Sequence, residues 1–200
     1  MKQHFHHQDD RHGARQPERF DPERAARLDD PARFEYVPPQ EVARLLALPS
    51  NARVLDFGTG TGTYAIELAR LRPDVEVIAF DEQPAMLDLL REKPAAASLP
   101  NLKLLLAGQS GSSLAGQIDR VLALNVLHEL GDEALKSLRA LLKPGGEAFF
   151  IDWNAEVDRP LGPPRDHVYT PAEARMRLES MGYQVAAEKS FPYHYVFRAR

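Results

Sequence analysis

The chain contains no cysteine. Disulfides, thiolate metal sites and cysteine nucleophiles are therefore excluded, and the composition is compatible with a cytoplasmic protein. No apolar run approaches the roughly 20 residues that span a bilayer. The opening text, MKQHFHHQDDRHGARQPERF, has no hydrophobic stretch of the signal-peptide kind. An excess of positive charge is also missing. Lys and Arg number 25 against 29 Asp and Glu, a net charge of −4, which argues against a broad basic face for nucleic acid. We therefore expect no nucleic-acid partner and no membrane span.

The chain is long enough, at 200 residues with 44% hydrophobic, to bury one sizeable core. Four of its seven histidines, His4, His6, His7 and His12, crowd the first 20 residues. That polar stretch reads as a flexible His-rich tail (1–20), with metal binding through imidazole as the alternative. Residues 21–200 read as a single domain, a monomer or a homodimer.

Within that domain the pattern alternates. A charged helical stretch (21–33) is broken by Phe34-Glu35-Tyr36-Val37-Pro38-Pro39, because proline removes a donor and disfavours helix before it. A helix is expected over 40–48. Short apolar runs at 53–57, 75–80, 102–106, 118–124 and 147–152 read as strands. Helices at 63–71, 84–91 and 132–142 separate them, and Pro144-Gly145-Gly146 reads as a sharp stop. A proline-rich loop (156–165), a helix (171–181) capped by Thr170 with Glu173, and two closing strands (183–189, 193–200) complete the chain. In the last strand Tyr193, Tyr195 and Phe197 alternate, as on one packed face; that strand is a candidate sheet edge or interface.

Unbroken apolar strands alternating with helices indicate an α/β fold: a doubly wound sheet of about seven strands, mostly parallel, with an antiparallel C-terminal strand and helices on both faces. Such sheets bind ligands at the carboxyl ends of their strands.

The strongest signal lies at one such end, in Val54-Leu55-Asp56-Phe57-Gly58-Thr59-Gly60-Thr61-Gly62. Glycine suits a tight reversal with positive φ and lets a ligand lie on bare backbone. Asp81 closes the second strand, where a carboxylate can accept from both hydroxyls of a ribose. A dinucleotide site wants glycine at the sixth place of G-x-G-x-x-G, and Thr63 stands there; the lysine of a phosphate-binding loop is missing too. An adenosyl ligand with an amino-acid tail fits better, its carboxylate near the helix N-terminus. Asp56 is placed to orient the loop or reach the ammonium.

This segment resembles the first motif of class I S-adenosylmethionine-dependent methyltransferases. Further segments resemble theirs in the same order: Val77 to Leu87, Ile118 to Leu130, Leu142-Lys143-Pro144-Gly145-Gly146, and Tyr169-Thr170-Pro171-Ala172-Glu173 with Met181-Gly182-Tyr183. The resemblance covers about residues 35–199 and is nearest to the ubiquinone- and menaquinone-biosynthesis, small-molecule type. It implies S-adenosylmethionine as cofactor and a small-molecule methyl acceptor. It assigns Gly58, Gly60 and Gly62 to the cofactor backbone, Asp81 to the ribose, and Glu82 or Met86 to the adenine side. Asn125 and Val126 line the methionine portion, and Tyr36 closes over the cofactor. Where relatives often carry an adenine-binding acid, this chain has Leu106-Ala107-Gly108-Gln109-Ser110, so Gln109 or Ser110 is the expected substitute.

Methyl transfer from a sulfonium needs mainly alignment, and a base only when the acceptor must lose a proton. His128 is the base candidate; the alternative is a spacer beginning the next helix, and Glu129 reads as a solvated carboxylate there. Trp153 is a substrate contact or a core cap. His167 and Tyr169 are further substrate candidates. Without an N-P-P-Y tetrad, the amino-methylating nucleic-acid and glutamine enzymes are disfavoured. A non-catalytic binding protein of the same fold and an NAD-dependent oxidoreductase stay open as alternatives.

Overall fold

A computed structural model describes residues 22–108 and 114–200. Its centre is a seven-stranded sheet of β1 (Arg53–Phe57), β2 (Glu76–Asp81), β3 (Leu102–Leu106), β4 (Ile118–Leu124), β5 (Leu142–Trp153), β6 (Val185–Ala187) and β7 (His194–Ala199). The spatial order is β3-β2-β1-β4-β5-β7-β6. The first five strands run parallel; β7 is antiparallel to both β5 and β6. The order turns back between β1 and β4, which makes their carboxyl ends the switch point where such sheets open a crevice.

Seven helices surround the sheet among the described residues: α1 (Arg33–Tyr36), α2 (Pro39–Leu46), α3 (Thr63–Leu71), α4 (Pro84–Glu92), α5 (Pro94–Ala97), α6 (Asp132–Leu141) and α7 (Pro171–Ser180). The strands are apolar on both sides because both sides are covered. Val54, Val77, Leu122 and Ile151 pack with Val42, Leu46, Leu68 and Leu90 of α2, α3 and α4. Leu55, Ile78, Val121 and Phe150 pack with Leu135, Leu138 and Leu178 of α6 and α7.

Three details differ from the sequence expectation. The stretch preceding α1 is a 3-10 helix (Pro22–Asp29), and Arg33–Tyr36 forms a helical turn instead of a break, since its only prolines lie after it, at 38 and 39. Pro144-Gly145-Gly146 does not delay the fifth strand. Leu142 already pairs with Ile118 and Glu147 with Arg120, and the intervening residues bulge out; Gly145 takes φ 79°, and a Cβ at Gly146 would lie 2.9 Å from the Ile118 carbonyl. The aromatic last strand, β7, is internal and not an edge; the edge belongs to the three-residue β6. Tyr195 and Phe197 do share a packed face, but His194 and Val196 on the other face are buried too.

Candidate functional site

The bend out of β1 is built from left-handed glycines, with φ 71° at Gly58, 55° at Gly60 and 74° at Gly62. It opens onto a cavity of about 590 Å³ at the switch point, lined by the bend, the end of β2, Met86 of α4, and Asn125, Val126 and Glu129 after β4. That volume is in the range of ordinary cofactor pockets. The three glycines face different neighbours. A Cβ on Gly58 would meet Val126, one on Gly60 would meet Leu28, and one on Gly62 would sit 2.3 Å from Leu90 in the core. Gly62 itself does not line the cavity, although Thr61 and Thr63 beside it do; its bare Cα lets α3 start against α4.

Asp81 lines the cavity and ties it together. Gly60 N donates to its Oδ2 at 2.8 Å and Gln83 N to its Oδ1 at 2.9 Å. Burial raises its pKa, and each oxygen keeps lone-pair capacity for a ligand. Asp56, 4% exposed, accepts from Thr59 Oγ1 at 2.6 Å. Burial pushes its carboxyl up to about 6, with the Asp81 charge adding to the shift. Asn125 is a non-glycine with φ 59°. Its amide donates to Ile151 O at 2.8 Å, while its buried Oδ1 has no partner. Glu82 and Met86 also line the cavity. Gln109 and Ser110 lie outside the described residues.

His128, the expected base, does not itself line the cavity. Its ring is 7% exposed. The fully buried Asp152 holds it, with Nδ1 2.9 and 3.0 Å from the two carboxylate oxygens and the His128 amide donating to Oδ2 at 3.0 Å. Burial alone would lower the imidazole; the Asp152 charge more than reverses this, so it is held above its ordinary value. Its Nε2 stands 3.6 Å from Glu129 Oε1. Glu129, not His128, faces the cavity. It is no solvated carboxylate: burial pushes it up to about 7, with Asp152, Asp81 and Glu82 adding and His128 opposing.

The other expected site residues lie off this cavity. Tyr36 packs against Trp153, Tyr193 and His194 instead of closing over the glycine bend. Trp153 is 5% exposed in that aromatic group. His167 sits on an exposed turn (Arg165–His167). Tyr169 accepts through its hydroxyl from Arg177 Nη1 at 2.7 Å, which anchors it to α7.

Residues that the sequence pattern left unmarked complete the site. Asp29 accepts from Thr61 Oγ1, Thr63 Oγ1 and Lys93 Nζ at 2.6, 2.8 and 2.6 Å, which straps the N-terminal 3-10 helix over the bend with Leu28 against Gly60. Arg33, the one basic side chain lining the cavity among the described residues, donates to Leu28 O at 2.7 Å. None of these carries a local motif; the nearest available signal is the pair of hydroxyls at Thr61 and Thr63, within and just after the glycine segment.

Together the sheet order and the glycine bend at its switch point define a doubly wound α/β protein with a nucleotide-type ligand cleft. Residues 30–196 match the sequence family described as the methyltransferase domain. The chain belongs to that family, the class I S-adenosylmethionine-dependent methyltransferases. A solved structure of a SAM-dependent methyltransferase from Aquifex aeolicus superimposes with a TM-score of 0.82 at 31% identity, covering 90% of this chain and 98% of that one. The ubiquinone biosynthesis O-methyltransferase of Xanthomonas axonopodis pv. citri is 28% identical over 183 residues, 82% of this chain and 73% of that protein. Two further relatives match over short stretches only. Demethylmenaquinone methyltransferase of Deinococcus radiodurans is 52% identical over 50 residues, 25% of this chain and 21% of its own length. Release factor glutamine methyltransferase of Escherichia coli is 41% identical over 78 residues, 39% of this chain and 27% of its own length.

Proposed function

We propose that residues 21–200 act as one domain that transfers a methyl group from S-adenosylmethionine to a small-molecule acceptor. The observation that carries this reading is the acidity of a cavity laid on glycine backbone. Carboxylates of Asp56, Asp81, Glu82 and Glu129 line it against one guanidinium, Arg33. A ligand with a sulfonium and an ammonium is attracted there, whereas a pyrophosphate is repelled. That balance, with Thr63 at the sixth place of the bend, favours the adenosyl cation over a dinucleotide.

The residues present fit the cofactor. Gly58 and Gly60 leave backbone bare for it, Asp81 has lone pairs for the ribose hydroxyls, and Glu82 and Met86 border the adenine side. Val126 and Asn125, whose buried Oδ1 lacks a partner, suit the methionine portion. When bound, the cofactor supplies a methyl group already activated on positively charged sulfur. The protein's own part is alignment, worth up to roughly 7–11 kcal/mol in favourable cases, and removal of a proton where the acceptor carries one. We assign that proton to Glu129, with His128 as a positioning residue behind it and Asp152 fixing the imidazole. A small-molecule acceptor is supported by the likeness to the ubiquinone O-methyltransferase, and by Asn125-Val126-Leu127-His128 standing where an N-P-P-Y tetrad would be.

Titration calorimetry with S-adenosylhomocysteine tests the cofactor assignment. Asp81→Ala should lose roughly 1.5–3 kcal/mol of binding, the worth of hydrogen bonds to a charged group; wild-type affinity in that variant removes the ribose contact. Release of S-adenosylhomocysteine across a panel of small phenols, acids and amines tests the acceptor. Turnover confined to tRNA or release-factor peptide would refute the small-molecule reading.

A further inference from the structure

Among the described residues, six buried side-chain nitrogen and oxygen atoms find no hydrogen-bond partner: Asn125 Oδ1, Arg159 Nε and Nη2, His194 Nδ1 and Nε2, and Tyr195 Oη. Buried polar groups are ordinarily satisfied, and each exception calls for a reason. All six lie just past the carboxyl end of β4, on the loop after β5, or at the start of β7. Asn125 belongs to the cavity already described, and Tyr195 faces α7 with Phe197. The remaining four atoms share one neighbour, the indole of Trp153.

His194, 1% exposed, lies with its ring centroid 4.1 Å from that of Trp153. The Arg159 guanidinium carbon stands 5.2 Å from the indole centroid on the loop that folds over it. Its Nη1 donates to Leu161 O and Pro163 O at 3.0 and 2.6 Å. That fixes the guanidinium and leaves Nε and Nη2, the two donors along its side edge, unused. This edge matches the two oxygens of a carboxylate, or one anionic oxygen with a neighbour. His194 is neutral, because burial pushes it down to about 3 despite the Asp152 charge, so it offers one donor and one acceptor. Tyr36 lies parallel to His194, at 8° and 5.9 Å between centroids, and it is only half-buried. The place is also adjacent to the cavity: Trp153 follows Asp152, which holds His128 beside Glu129, and Asn125 hydrogen-bonds to Ile151 on the same strand.

We propose that Trp153, His194 and Arg159 form the acceptor subsite, for a planar acceptor bearing an anionic oxygen, with Tyr36 as the movable ring that the acceptor displaces. This rests on the small-molecule methyltransferase reading. It sets a donor-rich aromatic subsite for the acceptor beside the acidic cavity for the cofactor, outside that cavity's own lining. The ring of the acceptor lies on His194 and Trp153, and its anionic oxygen is held by the free edge of Arg159.

Trp153 is the only tryptophan in the chain, so its emission reports on this place alone. The full chain, saturated with S-adenosylhomocysteine, is titrated with 4-hydroxybenzoate, with planar but neutral 4-hydroxybenzyl alcohol, and with anionic but non-planar cyclohexanecarboxylate. The benzoate should change the emission saturably and bind at least about tenfold more tightly than either control. Arg159→Gln should weaken it by at least about tenfold, as expected when a charged hydrogen-bond donor is lost, with S-adenosylhomocysteine affinity unchanged. His194→Phe keeps the ring and removes its unpartnered nitrogens; it should bind the benzoate more weakly while its thermal midpoint stays level or rises. Equal binding of the three probes, wild-type benzoate affinity in Arg159→Gln, or a His194→Phe variant that melts lower with unchanged benzoate affinity would each overturn the subsite. Repeating the titration without nucleoside keeps the two readings apart: failure to bind S-adenosylhomocysteine counts against the cofactor reading, and saturable benzoate binding still counts for the subsite.

Discussion

Single residues in this protein carry different burdens under the same letter. Gly62 and Gly116 both take positive φ, 74° and 65°. An added Cβ at Gly62 runs into Leu90, which is fully buried, whereas at Gly116 it meets nothing within 4 Å. Gly62→Ala should therefore cost about 2–4 kcal/mol, backbone strain plus overpacking, and Gly116→Ala about 1 kcal/mol from strain alone. Denaturant unfolding measures both; equal losses would show that packing against α4 does not explain Gly62. Asp56 offers a sharper case. Its folded-state pKa of about 6 exceeds the unfolded 3.8, so the folded protein holds the proton more tightly. The favourable contribution is complete below about pH 4 and is lost as pH rises through about 6, leaving a cost of roughly 2–3 kcal/mol at neutral pH. Asp56→Asn keeps an acceptor for Thr59 and removes that cost. Its cofactor-free thermal midpoint should exceed wild type by several degrees at pH 8 and converge on it below about pH 4. A difference that does not vary with pH would contradict the burial argument.

At the scale of elements, α7 shows what a cap contributes when packing is sparse. The helix buries only Ala174 and Leu178, yet it is tied at both ends. At its start Thr170 and Glu173 form a reciprocal capping box, as the sequence expectation had it. Further along, Arg177 donates to Leu127 O at 3.2 Å and to Leu130 O, and so grips the turn (Leu127–Glu129) that carries His128 and Glu129. Thr170→Ala should cost about 1 kcal/mol, a fall in thermal midpoint of roughly 2–4 °C for a domain of this size. Because α7 contributes nothing to the cavity lining, S-adenosylhomocysteine affinity should not change. A large loss of affinity would mean that the cap governs the Glu129 turn. The N-terminal 3-10 helix is the opposite case. Its amino-acid pattern was readable as helical and charged, but its docking through Asp29 to Thr61, Thr63 and Lys93 joins residues 32 to 64 positions apart, beyond any local signal.

Over the whole molecule, charge decides which ligand the cleft accepts. Asp56, Asp81 and Glu129 are all raised by burial in one cavity, the latter to about 7. A cationic ligand favours their ionised forms, so it should expel protons on binding and lose affinity as pH falls from 8 toward 5.5. Calorimetry in two buffers of different ionisation enthalpy reads the proton count directly; uptake instead of release would mean an anionic ligand. The sequence by itself determined the five parallel strands, the glycine bend, Asp81 at the end of β2 and the Thr170 cap. Those signals are local: a strand buried on both faces is a continuous apolar run, and a bend with three left-handed residues in five positions favours glycine at each. Only the tertiary structure decided that β7 lies inside the sheet, that Gly62 serves α4, that Glu129 and not His128 meets the cavity, and that Trp153, His194, Tyr36 and Arg159 converge. Each of these depends on which of two adjacent side chains faces inward, or on contacts that only the folded chain brings together, and such contacts leave no period in the sequence.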